Sequence, residues 1–305
     1  MASPAQRHRF KVAPEDAGLR LDQVLAARVP GLSRRKARAL LDIGGVFVDR
    51  ARVKVAGRAM RAGQEIVAVI GPAFERATKE VGREARARDA AELPAFRVVH
   101  ADEDLVVVDK PAGLLTAPTP EGDRNTLVRL VAEQIGGPVS VVHRLDLGTS
   151  GLLVVARTDE ANRALAEVFR THAVDREYLA ALRGEVTWEE LVVTEPIAGK
   201  RAESRFTVAE RIAGATLARC RLETGRTHQI RLHARHVGHA VLGDAQYGER
   251  TEIDPPRMAL HAAVLGFVHP RTGEALRFES AWPEELRVWW EMLREKGRAP
   301  VPAAR

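Results

Sequence analysis

The chain has 305 residues, of which 45% are hydrophobic and 29% charged, and its formal net charge is +6. This composition excludes a disordered or fibrous protein, and the longest apolar runs, Leu105–Val108 and Leu152–Ala156, are too short to cross a bilayer. The N-terminal residues contain no apolar signal core, so we expect a cytoplasmic protein with no membrane partner.

The sequence pI of about 9.9 favours a nucleic-acid partner, because Lys and Arg are attracted to phosphate backbones. An arginine-rich proteome would give the same basic excess, so charge alone leaves this open. The single cysteine, Cys220, excludes an internal disulfide and a cysteine-based zinc site. It lies in an alternating segment, Leu217–Leu222, which predicts a strand with Cys220 in the core or a wall.

Residues 9–70 form the first predicted domain, with two short helices followed by a β-rich segment. The first helix is indicated by apolar residues at helical spacing: Leu21, Val24, Leu25 and Val29. Ser33 is the expected N-cap of the second helix, Arg34–Ile43. Its apolar face carries Ala37, Leu40 and Leu41. Its N-terminus and other face carry a basic cluster, Arg34, Arg35, Lys36 and Arg38.

The rest of the chain divides into a linker, a large domain and a tail. Residues 71–94 are dense in charge with poor apolar periodicity, which predicts a mobile charged linker. Residues 95–295 alternate strand-like runs with helical segments, which predicts a single α+β domain. Its clearest helix begins after the N-cap Thr158. Residues 296–305 are expected to be a disordered tail.

Several common catalytic motifs are missing from the sequence. Neither G-x-G-x-x-G nor G-x-x-x-x-G-K-[ST] occurs, so we expect no dinucleotide or P-loop nucleotide cofactor. Ser150, in Gly148–Gly151, lacks the complete G-x-S-x-G pattern and is interpreted as a turn residue. A cluster of histidines lacks the H-E-x-x-H spacing, so no metal site is expected: His228, His233, His236 and His239.

The segment Val142–Ala156 carries the most informative chemistry. Arg144 and Asp146 lie two apart in a loop between apolar runs, so the Asp146 carboxylate needs a cationic partner to stay ionised. Taken alone, this predicts only a salt bridge at a turn. A second segment, Glu223–His233, places arginines and a glutamine around a turn and helix start, which suits phosphate or carboxylate partners.

These segments resemble the RluA-type pseudouridine synthases. The run His143–Ala156 is similar to the family's H-R-L-D-x-x-T-S-G signature, and Gly225–His233 is similar to its G-R-T-H-Q-I-R-x-H block. Asp104–Gly113 resembles its K-P-A-G strand, and Ala240–Gly248 its G-D-x-x-Y-G turn. The motifs occur in the family's order and cover about residues 95–285. The resemblance implies an α+β catalytic domain built on a mixed, mainly antiparallel sheet.

The first domain is similar to the αL RNA-binding motif of a small-subunit ribosomal protein. The similarity rests on Gly18–Asp22, Ser33–Arg35 and Gly45–Val48. It implies a small α/β RNA-binding domain whose basic cluster, Arg34, Arg35, Lys36 and Arg38, contacts RNA phosphates. The alternative is a solvated basic helix face. The module's usual Asn-Gly turn is replaced here by Asp49-Arg50.

The family resemblance implies a cofactor-free isomerase that converts uridine to pseudouridine in structured RNA. It makes Asp146 the essential carboxylate, Arg231 its ionic partner and Tyr178 the ring that stacks on uracil. Arg144 is expected to fill the gap left by the flipped base, and Leu260 to form an apolar pocket wall. Each has a structural alternative: an ion pair for Asp146 with Arg231, a strand-face aromatic for Tyr178 and ordinary core for Leu260.

The expected partner is RNA, with large-subunit ribosomal RNA as the leading target and transfer RNA still open. We expect a monomer. One competing hypothesis is an RNA-binding or ribosome-assembly factor without catalysis, which would not need Asp146, Tyr178 and Arg231. Another is a hydrolase that uses Asp146, for which the motif region offers no second carboxylate to activate water.

Overall fold

The computed structural model of the chain describes residues 6–79, 93–118 and 125–298. These residues divide into two compact units. The smaller unit holds the described residues up to 79, together with Pro118, and the larger unit holds residues 93–117 and 125–298. None of the described helices has the length and hydrophobicity that are needed to span a bilayer.

The smaller unit combines an antiparallel sheet with short helices. Its elements are β1 (Gln6–Lys11), α1 (Leu21–Arg28), α2 (Arg34–Asp42), β2 (Val46–Val48), β3 (Ala51–Arg52), β4 (Glu65–Ile70) and α3 (residues 72–79). Its described strands pair in the order β1-β4-β2-β3. Asp49 and Arg50 connect β2 to β3 with φ angles of 49° and 69°, the left-handed geometry that a two-residue hairpin turn requires.

Local sequence signals account for the helices of the smaller unit. Leu21, Val24 and Leu25 of α1 are fully buried, which confirms the apolar spacing of that helix. The Ser33 hydroxyl accepts a hydrogen bond from the Lys36 backbone N–H at 3.3 Å, which confirms Ser33 as the N-cap of α2. Residues 72–79 of the predicted linker are helical, and Phe74 packs in this unit's core. The remaining linker residues 80–92 lie outside the described part.

The larger unit alternates strands with helices. Its strands are β5 (Arg97–Ala101), β6 (Leu105–Lys110), β7 (Ser140–Val141), β8 (Ser150–Ala156), β9 (Asp175–Arg183), β10 (Glu190–Val193), β11 (Ser204–Ile212), β12 (Ala215–Leu222), β13 (Leu260–Val268) and β14 (Ala275–Glu279). Its helices are α4 (Leu127–Ile135), α5 (Asp159–Arg170), α6 (Gln229–His236) and α7 (Glu284–Arg298). Helix α7 extends into the predicted tail, whose residues 299–305 lie outside the described part.

One mixed sheet organises the described part of the larger unit. Its strands follow the order β10-β11-β12-β9-β13-β8-β6-β5, with β14 paired to β13 and β7 to β8. The β8·β13 pair is parallel, and the other pairs are antiparallel. The structure therefore confirms an α+β fold with a mainly antiparallel sheet. Strands β8, β13 and β9, which lie side by side near its centre, each contribute to the site described below.

Both faces of the sheet are covered at β8. Every residue of β8 is buried, and its side chains alternate between two apolar clusters. Leu153 and Val155 belong to one cluster, and Leu152 and Val154 belong to the other. Helix α5 covers the second cluster with its apolar stripe, and the Thr158 hydroxyl accepts a hydrogen bond from the Ala161 N–H, as the sequence predicts. Cys220 is fully buried in the first cluster, where burial raises the pKa of its thiol.

Candidate active site

Asp146 lies in the loop between β7 and β8, and hydrogen bonds from Thr116 and Gly113 hold the backbone of this loop in place. The Thr116 hydroxyl donates to the Leu145 carbonyl at 2.8 Å and accepts from the Leu145 N–H at 3.2 Å. The Gly113 N–H donates to the Leu147 carbonyl at 2.8 Å. These bonds fix the residues on either side of Asp146, whose own side chain remains 27% exposed.

Lys110, the last residue of β6, reinforces the same loop from inside the protein. It is fully buried, and its ammonium donates to the carbonyls of Pro111 and Leu114 at 2.9 Å each and of Leu147 at 3.5 Å. Burial lowers the pKa of Lys110 to about 7, while the Asp146 charge acts in the opposite direction. Lys110 therefore links the segment that follows β6, at Pro111 and Leu114, to the loop that carries Asp146.

Arg231 on α6 joins Asp146 to a second, more deeply buried carboxylate. Its Nη1 donates to Asp146 Oδ2 at 3.0 Å, while Nε and Nη2 donate to the two oxygens of Asp244 at 2.7 and 2.8 Å. Burial opposes ionisation of this pair. The mutual hydrogen bonds outweigh that effect, so the pKa of Arg231 is raised and that of Asp244 is lowered. Arg231 is thus a fixed cation beside Asp146, as the sequence interpretation requires.

Helix α6 is set in place by polar contacts around its first turn. Gln229 accepts hydrogen bonds from Thr224 Oγ1 at 2.7 Å and from the Arg226 N–H at 2.9 Å, and it donates to the Glu203 carbonyl and to Ser204 Oγ. Ile230 and Ala234 face the core, as their spacing predicts. These contacts fix the side of α6 that carries Arg231.

The residues that the sequence singles out for catalysis and substrate binding meet around one small cavity of about 70 Å³. Its wall includes Arg144, Asp146, Tyr178, Arg231 and Leu260. Tyr178 comes from β9, in the middle of the sheet, and is 8% exposed. Burial raises the pKa of its hydroxyl, so the phenol stays protonated at neutral pH. Leu260 starts β13 and is also buried in the apolar cluster, while Arg144 is exposed at the rim.

A larger cavity of about 1090 Å³ shares Asp146, Tyr178 and Arg231 with the small one. Its lining also includes Phe169, Arg176, Asp244 and Met258. The site is therefore a mixed polar and apolar cleft in which the Arg231 guanidinium pairs with Asp146 and with Asp244. Such a cleft can hold a planar base between apolar walls while presenting Asp146 to the attached sugar.

Structural neighbours of Asp146 that sequence reasoning missed are Asp244, His228 and Lys110. Asp244 lies inside the G-D-x-x-Y-G turn, but the sequence does not show that it shares Arg231 with Asp146. His228 Nε2 lies 3.6 Å from Asp146 Oδ1, and burial lowers the pKa of its imidazole despite the attraction of Asp146. His228 Nδ1 lies 2.9 Å from the Tyr247 hydroxyl, which holds the ring in place.

Ser150 is not a turn residue, and that expectation was wrong. It is the first residue of β8, is buried, and its hydroxyl lies 2.9 Å from His261 Nδ1 on the neighbouring strand β13. Gly151 follows it with φ of 112° and lies so close to Ala262 that no side chain fits between the strands. Pairing with β13, which the local pattern does not reveal, converts the expected turn into strand.

The histidines clustered in the sequence from His228 to His239 make different hydrogen bonds. His233 is bonded to Ser204 and the Glu195 carbonyl, while His239 contacts the Arg183 carbonyl. A different group, Asp102, Asp104 and His269, has potential metal ligands within 4.8 Å of one another. However, Asp102 accepts two backbone N–H bonds, and Asp104 pairs with Arg271 at 2.6 Å. These contacts account for the group as a turn-stabilising network.

The predicted RNA-binding cluster lies on α2 of the smaller unit and surrounds a buried acid. Arg38 and Arg34 approach the fully buried carboxylate of Asp22 at 3.0 and 3.5 Å, and Arg20 approaches it at 3.1 Å. Arg34 and Arg38 keep 30% and 37% of their side chains exposed. The acid therefore holds these guanidinium groups at defined positions near the N-terminus of α2. Arg35 is half-buried and Lys36 is exposed.

Comparison with known proteins decides the family. A family model described as RNA pseudouridylate synthase matches residues 104–236, which contain Asp146, Tyr178 and Arg231. An uncharacterized RNA pseudouridine synthase of Bacillus subtilis is 35% identical over 306 residues, covering 93% of this chain and 97% of that protein. The chain belongs to the RNA pseudouridine synthase family. Its RluA-type resemblance is thereby confirmed, and the family places this synthase among the isomerases.

Other relatives extend the comparison over nearly the whole synthase. A ribosomal large subunit pseudouridine synthase D of Nitrosomonas europaea is 35% identical over 313 residues, covering 93% of this chain and 87% of that protein. A solved structure, human RNA pseudouridylate synthase domain containing 1, is 26% identical with a TM-score of 0.54, covering 63% of this chain and 86% of that chain. An S4 domain model matches residues 19–66 of the synthase, within the predicted RNA-binding domain.

Proposed function

We propose that the chain isomerises uridine to pseudouridine in large-subunit ribosomal RNA, with Asp146 as the essential carboxylate. The observation that carries the proposal is the 3.0 Å ion pair between Asp146 and Arg231 at the wall of a cavity that Tyr178 and Leu260 also line. The ribosomal target is supported by relatives such as the large subunit pseudouridine synthase D of Zymomonas mobilis, 32% identical over 316 residues.

The proposed reaction breaks the bond between ribose and N1 of uracil and forms a new bond from the same ribose carbon to C5. Asp146 lies in the wall of a cavity that a base stacked inside a helix cannot enter, so the target uridine must be flipped out of the helix. Arg144, at the exposed rim, is placed to occupy the gap that the base leaves. N1 gains a proton and C5 loses one, so the change is redox-neutral and requires no cofactor.

Asp146 starts the reaction either by covalent attack or by removing a ribose proton to give a glycal. In both routes the carboxylate must be ionised and aimed, which Arg231 ensures through its hydrogen bond. The Tyr178 ring stacks on the detached uracil, and Leu260 limits the space in which the base can turn. The buried walls keep water away while the base is detached.

RNA is held in addition by the smaller unit, which matches the S4 domain. We propose that Arg34, Arg35, Lys36 and Arg38 contact phosphates there. Such contacts carry no base specificity and position the RNA. Choice of the uridine then rests on the cleft and on the shape of the RNA. We further propose that the protein acts in the cytoplasm, where ribosomal RNA is modified, and as a monomer.

The proposal is tested by deleting the gene and mapping pseudouridines in total RNA through carbodiimide-dependent reverse-transcriptase stops. We expect one or a few stops in large-subunit ribosomal RNA to disappear. Wild type and the surface variant Asp159→Asn should restore them, whereas Asp146→Asn should not. An unchanged map, with purified protein inactive on bulk RNA, would instead favour an RNA-binding or assembly factor. Release of free uracil would favour the hydrolase.

A further inference from the structure

Arg176 occupies an unusual position in the larger cavity. It lies on β9 two residues before Tyr178, so both side chains project from the same face of the strand. Both line the larger cavity, and Arg176 is 8% exposed. The strand that carries Tyr178 therefore also places a buried cation in the cleft, one that has no role in the proposed chemistry at Asp146.

The Arg176 guanidinium has no acceptor in the part of the chain that the structure describes. Its Nε and Nη2 are buried there without a hydrogen-bond partner. The adjacent Glu177, on the other face of the strand, pairs instead with Arg219 and Arg221 at 2.6 and 3.0 Å. A buried guanidinium without an acceptor is costly, because its water hydrogen bonds are lost and not replaced.

What holds Arg176 in place is an aromatic stack and a glycine. Its guanidinium carbon lies 5.5 Å from the Phe169 ring centroid, and that ring stacks on His143 with centroids 4.3 Å apart. Gly225 also lies close to the guanidinium, because a Cβ added there would be 3.2 Å from Arg176 Nη1. The ring face attracts the cation but accepts no directed hydrogen bond comparable with that of a phosphate or carboxylate.

The surroundings of Arg176 favour an anion over a neutral acceptor. Burial lowers the pKa of His172, which also lines the cavity, and Arg176, Arg226 and Arg201 lower it further. Glu223 opposes them but does not reverse the shift. The charged groups that act on His172 in this part of the cleft are therefore mainly cations, with Arg176 the first among them. The anions that an RNA strand offers are its phosphates.

We propose that Arg176 binds a backbone phosphate of the RNA strand next to the flipped uridine, while Tyr178 holds the base. The inference rests on the proposed function and deepens it by naming how the nucleotide is held. Two residues along a strand span about 7 Å, which separates the anion site from the base site on one wall of the cleft. Arg176 is then a substrate-binding residue that fixes where the sugar lies relative to Asp146.

The decisive experiment is a double-mutant cycle in which one change is made in the protein and the other in the RNA. A short RNA carrying a mapped target uridine is prepared with a neutral methylphosphonate at each of the phosphates nearest that uridine in turn. Single-turnover kcat/KM is measured for wild type, Arg176→Gln and Arg176→Lys. The surface variant Arg163→Gln, which removes the same charge from an exposed part of α5, is the control.

At one phosphate we expect the methylphosphonate to lower the wild-type kcat/KM by roughly tenfold, the loss of one charge-assisted hydrogen bond. Arg176→Gln should lose a similar factor on native RNA and little more on the methylphosphonate RNA, while Arg176→Lys should recover part of the loss. The assignment is overturned if, at every phosphate tested, the loss of kcat/KM from the methylphosphonate and the loss from Arg176→Gln multiply when the two changes are combined. Arg176→Lys keeps the test valid even if Arg176→Gln unfolds.

A second measurement does not depend on pseudouridine formation. The full chain is unfolded thermally in inorganic phosphate and in chloride at equal ionic strength. Phosphate should raise the midpoint more for wild type and Arg163→Gln than for Arg176→Gln. An equal rise in all three proteins would contradict an anion site at Arg176. If wild type modifies no RNA at all, the proposed function fails, and this titration still decides whether Arg176 binds phosphate.

Discussion

Arg231 binds Asp146 and Asp244 at once, so the proposed catalytic carboxylate is positioned by a second, more deeply buried acid. The guanidinium donates to Asp146 at 3.0 Å with one nitrogen and to Asp244 at 2.7 and 2.8 Å with the other two. Asp244 leaves only 1% of its side chain exposed, and its Oδ1 also accepts the Gln246 and Tyr247 N–H groups. Asp146 therefore contacts a cation that is already fixed.

We predict that Asp244→Asn acts on catalysis through Arg231. The variant loses the ionic, two-point contact between Asp244 and the Arg231 guanidinium, so Arg231 becomes more mobile. Because Asp146 is positioned by Arg231, kcat should fall on the order of tenfold to a hundredfold. KM should change much less, because Asp244 is a positioning residue. Steady-state kinetics and the thermal midpoint are measured beside Asp159→Asn. A normal kcat in a folded Asp244→Asn enzyme would show that Asp146 needs no such anchor.

Lys110 makes the stability of the protein depend on pH. Burial lowers its folded-state pKa from 10.5 to about 7, so between pH 7 and pH 10.5 the unfolded chain binds a proton that the folded chain does not. The contribution of Lys110 to the unfolding free energy is therefore complete above pH 10.5 and is lost as pH falls to 7. Compared with Lys110→Met, wild type should gain about 2 kcal/mol between pH 7 and pH 9.

Denaturant unfolding of both proteins at each pH measures this difference. The variant also removes the donor to the Pro111, Leu114 and Leu147 carbonyls, which adds an offset that does not change with pH. If the difference in unfolding free energy between wild type and Lys110→Met stays constant over this pH range, Lys110 keeps its proton in the folded state.

Gly151 fixes the approach of β8 to β13 directly after the Asp146 loop. Its φ is 112°, and a Cβ would lie 2.6 Å from the Ala262 backbone nitrogen and closer still to its carbonyl oxygen. Gly151→Ala should therefore lower the unfolding free energy by about 3 kcal/mol or more, because backbone cannot yield to the added methyl. Gly136→Ala, also left-handed but facing open space, should cost about 1 kcal/mol.

Thermal and denaturant unfolding of the two glycine variants make the comparison. Similar losses for both would mean that the β8·β13 contact relaxes easily. Pseudouridine formation by Gly151→Ala below its unfolding midpoint should also be reduced, since the strand shift moves the loop that carries Asp146.

Substitutions at Tyr178 distinguish a role in base stacking from a role in proton transfer. Burial keeps its phenol protonated at neutral pH, and Tyr178→Phe preserves the ring. We predict that Tyr178→Phe keeps RNA affinity within about twofold and lowers kcat, whereas Tyr178→Leu lowers both. Filter binding and single-turnover rates distinguish the two effects. A Tyr178→Phe enzyme with the wild-type rate would limit Tyr178 to stacking.

The sequence predicted those features that depend on neighbours along the chain. Ser33 and Thr158 cap helices because a hydroxyl precedes the apolar periodicity, and Ile230 and Ala234 face the core because they share one helix face. The α+β class follows from alternating strand and helix segments. Asp146 and Arg231 were paired through the family motifs, and the geometry brings them together.

Other features depend on residues that are distant in sequence and could not be predicted. Ser150 bonds His261, 111 positions away, and therefore becomes buried strand. Arg38 approaches Asp22 from another helix, so the basic cluster that the sequence predicts to contact RNA phosphates also includes ion pairs with a buried acid. Arg176 lies against Phe169 and Gly225 only in the folded chain, which no local pattern shows.

The measurement that tests the central claim most directly is tritium release from ribosomal RNA labelled at C5 of uridine. Forming the new bond at C5 expels that hydrogen, so each pseudouridine made releases one label. Purified wild type should release tritium in proportion to a small number of sites per RNA. Asp146→Asn, with equal RNA affinity and thermal midpoint, should release none above background. Release by Asp146→Asn at the wild-type rate would contradict the assignment of Asp146 as the essential carboxylate.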